Sequence, residues 1–185
     1  EHIMLLLKSK KIPTHFIKRI SNREQLIKKC EIIPIEFVVR NIASGSICQR
    51  LGIKDGTPLK KPLLEYYFKE DTLEDPIVSR DHIELFGWAT KAEIKKIDRL
   101  SIKINKYLIS HFKKRGIVLV DFKIEFGRLY PSKKKIILAD EISPDSCRLW
   151  DEKSKNKLDK DVFRKSLGSL IKAYEEVASR LGIVH

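Results

Sequence analysis

The stretch Leu119-Val120-Asp121-Phe122-Lys123-Ile124-Glu125-Phe126-Gly127 decides how this chain is read. In a β-strand, alternate side chains face opposite sides. Phe122, Ile124 and Phe126 therefore point into a core, while Asp121, Lys123 and Glu125 share the other face. An ordinary solvated strand looks the same, so this stretch alone does not announce a site. Just upstream, Ile94, Ile97, Leu100, Ile104 and Leu108 recur at helical spacing between about Lys91 and Lys114. Thr90 with Glu93 three residues later forms a capping box at the start of that helix, and Gly116 is placed to end it.

Downstream, Lys133, Lys134 and Lys135 read as the solvated tip of a hairpin whose second strand is Lys135 to Leu138. That strand runs out into Ala139-Asp140-Glu141-Ile142-Ser143-Pro144-Asp145-Ser146-Cys147-Arg148-Leu149-Trp150-Asp151. If the hairpin pairs, Glu125 and Asp140 meet at neighbouring strand ends. Two carboxylates beside a lysine suit a magnesium–nucleotide site, with oxygen ligands for a hard cation and an ammonium for phosphates. A salt-bridged hairpin with a tight turn fits them equally well. A third element is Pro34-Ile35-Glu36-Phe37-Val38-Val39-Arg40-Asn41, followed by Ala43-Ser44-Gly45-Ser46. An arginine at a strand end before a Gly/Ser loop can cradle phosphate, although most such loops are only turns.

The remaining segments read more simply. Residues Glu1 to Lys10 look like the end of an amphipathic helix, and Ile12 to Ile20 like an extended run. Ser21 with Glu24 is a second capping-box pattern, expected to open a short helix. Ile32 to Val39 is β-rich, and Pro34 suggests an edge or a bulge. Gly52 and Gly56 bracket a turn. Thr57 to Trp88 reads as irregular, with short strands around Leu63, Tyr66, Tyr67 and Phe68. A long last helix, from about Lys160 to Leu181, is expected to bury Phe163, Leu167, Leu170, Tyr174 and Val177 and to stop at Gly182. Hairpin-like strands and separate helices, without repeats or low-complexity linkers, make the class α+β.

The chain has 185 residues, of which 42% are hydrophobic and 34% charged, enough for a packed core. No run approaches the length of a membrane span, and no signal segment opens the chain. It begins at Glu1 rather than Met, so its true N-terminus is expected to be missing, cleaved or unordered. Cys30, Cys48 and Cys147 follow no disulfide or metal spacing and read as reduced thiols of a cytosolic protein. The five scattered histidines (His2, His15, His82, His111, His185) argue against zinc. A net charge of +13 leaves two readings, nucleic-acid binding or the steering of small polyanions.

The three motifs above, with Phe86-Gly87-Trp88 and Asp159-Lys160-Asp161-Val162-Phe163-Arg164-Lys165-Ser166-Leu167-Gly168, resemble the phosphoribosylaminoimidazole-succinocarboxamide synthase (SAICAR synthetase) family. The resemblance runs in order through essentially the whole chain. It implies a two-lobed, kinase/ATP-grasp-like α+β fold built on an antiparallel sheet with helices, with most of the N-terminal β lobe absent. Residues 1–31 would be the remnant of that ATP-binding lobe, and 32–185 the central and C-terminal substrate-binding and nucleotide-binding domain. The family opens with a Gly-Lys-Ala strand-turn over the ATP phosphates, which this chain starts too late to contain.

The implied reaction consumes ATP, a carboxylated aminoimidazole ribotide and L-aspartate, and forms an amide with release of ADP and phosphate. Oxide is a hopeless leaving group, so ATP must activate the carboxylate. Phosphorylation before attack by the amine and a more concerted course both stay open. Carried over residue by residue, Glu125 and Asp140 would bind Mg2+ and nucleotide. Lys69 would assist at the nucleotide, and Ile32, within the 31–36 linker, would lie beside the adenine. Lys123 would face the phosphates or the substrate carboxylate, and Asp121 would hydrogen-bond the imidazole; these two are the catalytic candidates. Arg40, Ser46 and Arg148 would hold the ribotide phosphate, with Arg164 and Lys160 near the aspartate or phosphate pocket. The resemblance further implies a cytoplasmic homo-oligomer, a dimer, with no nucleic-acid or membrane partner. A basic nucleic-acid module fits poorly because acids interrupt the basic runs, whereas a kinase-like phosphotransferase shares the paired acids.

Overall fold

In the computed structural model, which describes residues 1–164 and 168–183, the chain runs as follows. It passes through α1 (His2–Ser9), β1 (Phe16–Arg19), β2 (Gln25–Ile27), β3 (Cys30–Ala43), α2 (Ser46–Leu51), β4 (Thr57–Phe68) and β5 (Ile77–Val78). Then come α3 (Arg80–Leu85), α4 (Lys91–Lys113), β6 (Ile117–Leu129), β7 (Ile136–Glu141), β8 (Cys147–Asp151), α5 (Asp161–Arg164) and α6 (Leu170–Arg180). Six strands form one sheet in the order β5-β4-β3-β6-β7, with β8 also paired to β6, and β1 with β2 makes a separate antiparallel pair. The class is α+β. Two compact units are distinguished: Glu1–Val38, Glu65–Ile104 and Ile124–Glu141 form the first, and Val39–Leu64, Asn105–Lys123 and Ile142–His185 the second.

In the first unit, Ile33, Ile35 and Phe37 of β3 are buried with Ile124 and Phe126 of β6, and Ile94, Ile97 and Ile104 supply the buried face of α4. The Phe37 ring stands edge-on to Tyr66 and Phe126, with centroids 5.7 and 5.5 Å away, the geometry that aromatic quadrupoles favour. Gly127 lets β3 come close, because a Cβ there would lie 2.8 Å from Cys30 Sγ and 3.1 Å from the Glu31 carbonyl. Arg128 then fastens the start of α4. It donates to both Glu93 carboxylate oxygens (2.7 and 3.0 Å) and to the Trp88 carbonyl (2.9 Å), and pairs with Glu31 at 3.1 Å. Glu93 meanwhile completes the predicted capping box, accepting the Thr90 N–H at 2.9 Å while its own N–H reaches Thr90 Oγ1 at 3.3 Å.

In the second unit, Val39, Ile47, Leu108, Phe112, Leu119, Val120, Phe122 and Leu149 are buried together with Val177. Asn41 of β3 and Asn105 of α4 exchange amide hydrogen bonds of 2.9 and 2.8 Å, and Asn41 also donates to the Leu119 carbonyl. These bonds satisfy polar groups that burial would otherwise penalise.

Several local expectations are corrected. Ser21 and Glu24 open no helix. Ser21 Oγ bonds the Glu24 carboxylate and accepts the Arg23 N–H, so the same side-chain chemistry closes the β1–β2 turn instead. Pro34 lies inside β3, between β4 and β6 in strand order. It is tolerated because its carbonyl accepts the N–H of Lys69, just past the end of β4, where the missing proline donor interrupts little of the ladder. The 57–68 region is one continuous strand despite Pro58 and Pro62, since β5 covers β4 only at Tyr66 and Tyr67 and leaves the proline-bearing part as an edge. Ser46–Leu51 and Arg80–Leu85 are helices that went unread, the latter capped by Ser79. The last helix is broken. After α5, Ser169 caps a new start at α6; Phe163 is 68% exposed, whereas Val177 is buried as expected, together with Ala173. Leu167, expected in the buried face, lies outside the described residues.

The Glu93–Arg128 pair generates a stability test. Hydrogen bonds from Arg128 outweigh partial burial and hold the Glu93 carboxyl at about 2. A depressed carboxylate contributes stability above its unfolded value near 4.5 and loses it as pH falls toward 2. Arg128→Ala is expected to cost about 1–3 kcal/mol at pH 7, and the deficit should shrink as pH is lowered from 5 to 3. Urea melts of both proteins across that range check it; a deficit independent of pH would assign the loss to packing.

Candidate active site

In the second unit the site residues gather on a buried carboxylate. Asp121 of β6 is 3% exposed, and its Oδ2 accepts from Arg40 Nη1 at 2.6 Å and from Arg148 Nη1 at 3.0 Å. Burial pushes the Asp121 carboxyl up while the two guanidiniums pull it down. The pairing follows from strand register. Leu119 faces Leu149 and Asp121 faces Arg148, so Val120 is an extra residue on β6, a bulge that sets acid and base directly opposite. Arg40 is fixed further by the Ser44 carbonyl (3.1 Å) and Ser46 Oγ (3.3 Å), and Arg50 reaches the same hydroxyl at 2.9 Å. Gly45 stands beside them at φ 68°, ψ −136°, and a Cβ there would lie 2.3 Å from Arg148 Nη2. Glycine thus lets the Arg148 guanidinium lie against the loop backbone.

Arg148 also binds Asp161, Nε to Oδ2 at 3.1 Å. Burial alone would raise the Asp161 carboxyl, but Arg148, Lys157 and Arg164 hold it below the usual carboxylate range. Arg164 reaches it at 3.3 Å from an exposed position at the end of α5. Lys160 instead pairs with Asp145 at 3.0 Å, and Tyr174 donates to that same carboxylate. Lys123 is half-buried on β6, its N–H donated to the Ser146 carbonyl.

The first unit holds the other cluster. Glu125 of β6 and Asp140 of β7 are register partners, as expected, and the next pair, Phe126 with Leu138, leaves Ala139 as a bulge on β7. Like charges directly opposite on neighbouring strands are destabilising unless a cation intervenes. Lys69 supplies one: its Nζ lies 2.8 and 2.7 Å from the two oxygens of Glu125, which is 2% exposed. Burial works against the Lys69 ammonium, but Glu125, with Glu36 and Asp140 beyond it, holds it protonated above the usual lysine value. Asp140 is exposed and accepts the Glu141 N–H at 2.7 Å. The backbone after it is strained, with Glu141 and Ile142 at φ 77° and 74°. A β-branched residue there is an outlier of the kind that gathers at functional sites. Ile32 is exposed on β3, four residues before the buried Glu36.

Among the described residues no group of three or more His, Cys, Asp or Glu side chains is arranged to hold a metal. Two carboxylates remain compatible with magnesium, which keeps waters and takes substrate phosphate oxygens alongside one or two protein ligands. The Lys69 ammonium already marks that position as one that accepts positive charge. Glu36, Asp159 and Asp161 are given no role by the sequence. Glu36 follows from strand alternation, but the two aspartates carry no local signal for the Leu149 N–H and the Arg148 guanidinium that they meet on β8.

Gly45→Ala should force the Arg148 guanidinium away and strain a positive-φ position, costing about 1–3 kcal/mol. Chemical denaturation measures it; a neutral result would show that the loop yields freely.

The SAICAR synthetase family model matches residues 1–181. The phosphoribosylaminoimidazole-succinocarboxamide synthase of Pelagibacter ubique is 58% identical over all of this chain and 72% of its own length. A crystal structure of the Ehrlichia chaffeensis synthase superposes with a TM-score of 0.96 at 50% identity, covering 100% of this chain and 78% of that one. A SAICAR synthetase in complex with ADP gives 0.93 at 44% identity, covering 97% and 76%.

Proposed function

This chain belongs to the SAICAR synthetase family, and on that footing we propose how its two side-chain clusters divide the work of the ligase. The reaction is the ATP-dependent condensation of 5-amino-1-(5-phosphoribosyl)imidazole-4-carboxylate with L-aspartate in purine biosynthesis. A relative of the same fold is known bound to ADP, which supports nucleotide binding here. The observation that carries the division is the placing of Glu125 directly opposite Asp140, with Lys69 on Glu125.

In this reading Glu125 and Asp140 would hold a magnesium ion, which would supply neutralisation of the charge on the transferring phosphoryl group. Lys69 leaves Glu125 for a phosphate oxygen when nucleotide arrives, exchanging one anionic partner for another. Ile32, within the 31–36 linker, lies beside the adenine, to which that linker supplies backbone hydrogen bonds. Arg148 holds the ribotide phosphate by its guanidinium fork. Arg40 and Ser46 complete that pocket, with Arg40 locking the loop through Ser44 and Asp121. Asp121 accepts a hydrogen bond from the imidazole substrate's amino group. Lys123 meets the substrate carboxylate and draws off its negative charge as it is activated, and Arg164 faces the aspartate. Catalysis is then chiefly positioning and charge neutralisation, with no protein nucleophile.

Residues 1–31 are assigned to a remnant of the N-terminal ATP-binding lobe and 32–185 to the central and C-terminal substrate- and nucleotide-binding domain, and the separate β1–β2 sheet supports the first of these. The reading includes a cytoplasmic homodimer. The three free cysteines support its setting. Sedimentation tests the dimer.

A coupled assay tests the function: ADP release must require both aspartate and the aminoimidazole carboxylate, and release without aspartate would turn the reading toward a phosphotransferase. Glu125→Ala or Asp140→Ala should abolish turnover with the fold retained, as judged by circular dichroism. Arg148→Ala should raise KM for the ribotide far more than KM for aspartate; equal rises would remove it from the phosphate.

A further inference from the structure

Arg148 and Asp161 form an ion pair whose two halves come from different elements, β8 and α5, and something must hold those elements in register. The Asp159 carboxylate touches both backbones. Its Oδ2 accepts the N–H of Leu149, the residue after Arg148, at 2.7 Å, and its Oδ1 accepts the N–H of Asp161 at 2.8 Å. The residues before it lie antiparallel along β8, with Lys157 bridged to Trp150 and the Leu158 N–H donated to the Leu149 carbonyl at 2.7 Å. The chain then turns away at Lys160, whose N–H goes to the Pro144 carbonyl. Past that turn the Leu149 N–H is met by the Asp159 side chain in the place of a main-chain carbonyl. Asp159 is 1% exposed. Burial pushes its carboxyl up to about 6, against the two N–H donors, so at neutral pH it is ionised and both oxygens accept.

We propose that Asp159 is a positioning residue for the ribotide site: one buried carboxylate fixes the backbone on each side of the Arg148–Asp161 pair and so sets where the Arg148 guanidinium points. It touches no substrate and acts only through Arg148, so the inference rests on the reading of Arg148 as the phosphate anchor. Asp159→Asn is nearly isosteric but presents an amide N–H₂ to one of the two N–H donors, releasing one anchor while keeping the other.

The test is steady-state kinetics of the ligase with ribotide and aspartate varied separately, on Asp159→Asn, Arg148→Ala and the double variant, with a melting curve for each. Asp159→Asn is expected to raise the ribotide KM about tenfold, the worth of one charge-assisted hydrogen bond. The aspartate KM and kcat should stay nearly unchanged. The substitution should add little in the Arg148→Ala background, because coupled residues are not additive. An unchanged ribotide KM in Asp159→Asn, with Arg148→Ala impaired, overturns the inference alone. So does a purely structural pattern, in which melting temperature and kcat fall while the two KM values move together. If Arg148→Ala itself leaves the ribotide KM unchanged, the phosphate reading fails and takes the inference with it. Asp159→Ala, which loses both anchors, should exaggerate the ribotide effect; should it fail to fold, the asparagine variant decides.

Discussion

The second unit depends on a carboxylate buried between two guanidinium groups. Taking Asp121, Arg40 and Arg148 out of water is costly, and such a cluster persists only when nearly every donor and acceptor is satisfied. Here each partner is tied to something further: Arg40 to the Ser44 carbonyl and Ser46, Arg148 to Asp161, and Asp161 to a backbone held by Asp159. Removing any one charge would strand another, at about 3–5 kcal/mol for a broken buried pair. The arrangement is therefore stiff, as a site must be if it is to hold a phosphate at a fixed point.

The first unit solves the opposite problem. Glu125 and Asp140 are like charges in register, and their repulsion is relieved by the Lys69 ammonium rather than by a rigid shell. Lys69 is partly exposed and long, so it can move, whereas Arg40 and Asp121 cannot. One cluster is thus held rigidly, and in the proposed function the other exchanges its lysine for a metal ion. The excess of positive charge over the whole chain then serves to draw in anionic substrates.

Much of this was legible in the sequence, for identifiable reasons. The β6–β7 hairpin and the pairing of Glu125 with Asp140 followed from alternation and turn chemistry, which are local. The capping box at Thr90 and Glu93 is present as expected, whereas the same pattern at Ser21 and Glu24 closes the turn between β1 and β2. Alternation alone left the charged face of β6 readable as solvated, yet Asp121 and Glu125 are both buried. Their partners, Arg40, Arg148 and Lys69, sit 81, 27 and 56 residues away in sequence, beyond the reach of any local pattern. Phe163 misled for a related reason: a helical stripe of apolar residues does not reveal a break, and Ser169 caps a new helix start. Asp159 and Asp161 stood in a quoted motif, but their role depends on β8, a strand that periodicity did not disclose.

The most direct measurement is nucleotide binding by calorimetry with and without magnesium, for the unsubstituted protein and Asp140→Asn. If Glu125 and Asp140 are the metal's carboxylates, magnesium strengthens nucleotide binding to the unsubstituted protein and loses most of that effect in Asp140→Asn, while the magnesium-free affinity is unchanged. An equal enhancement by magnesium in both proteins would contradict the account.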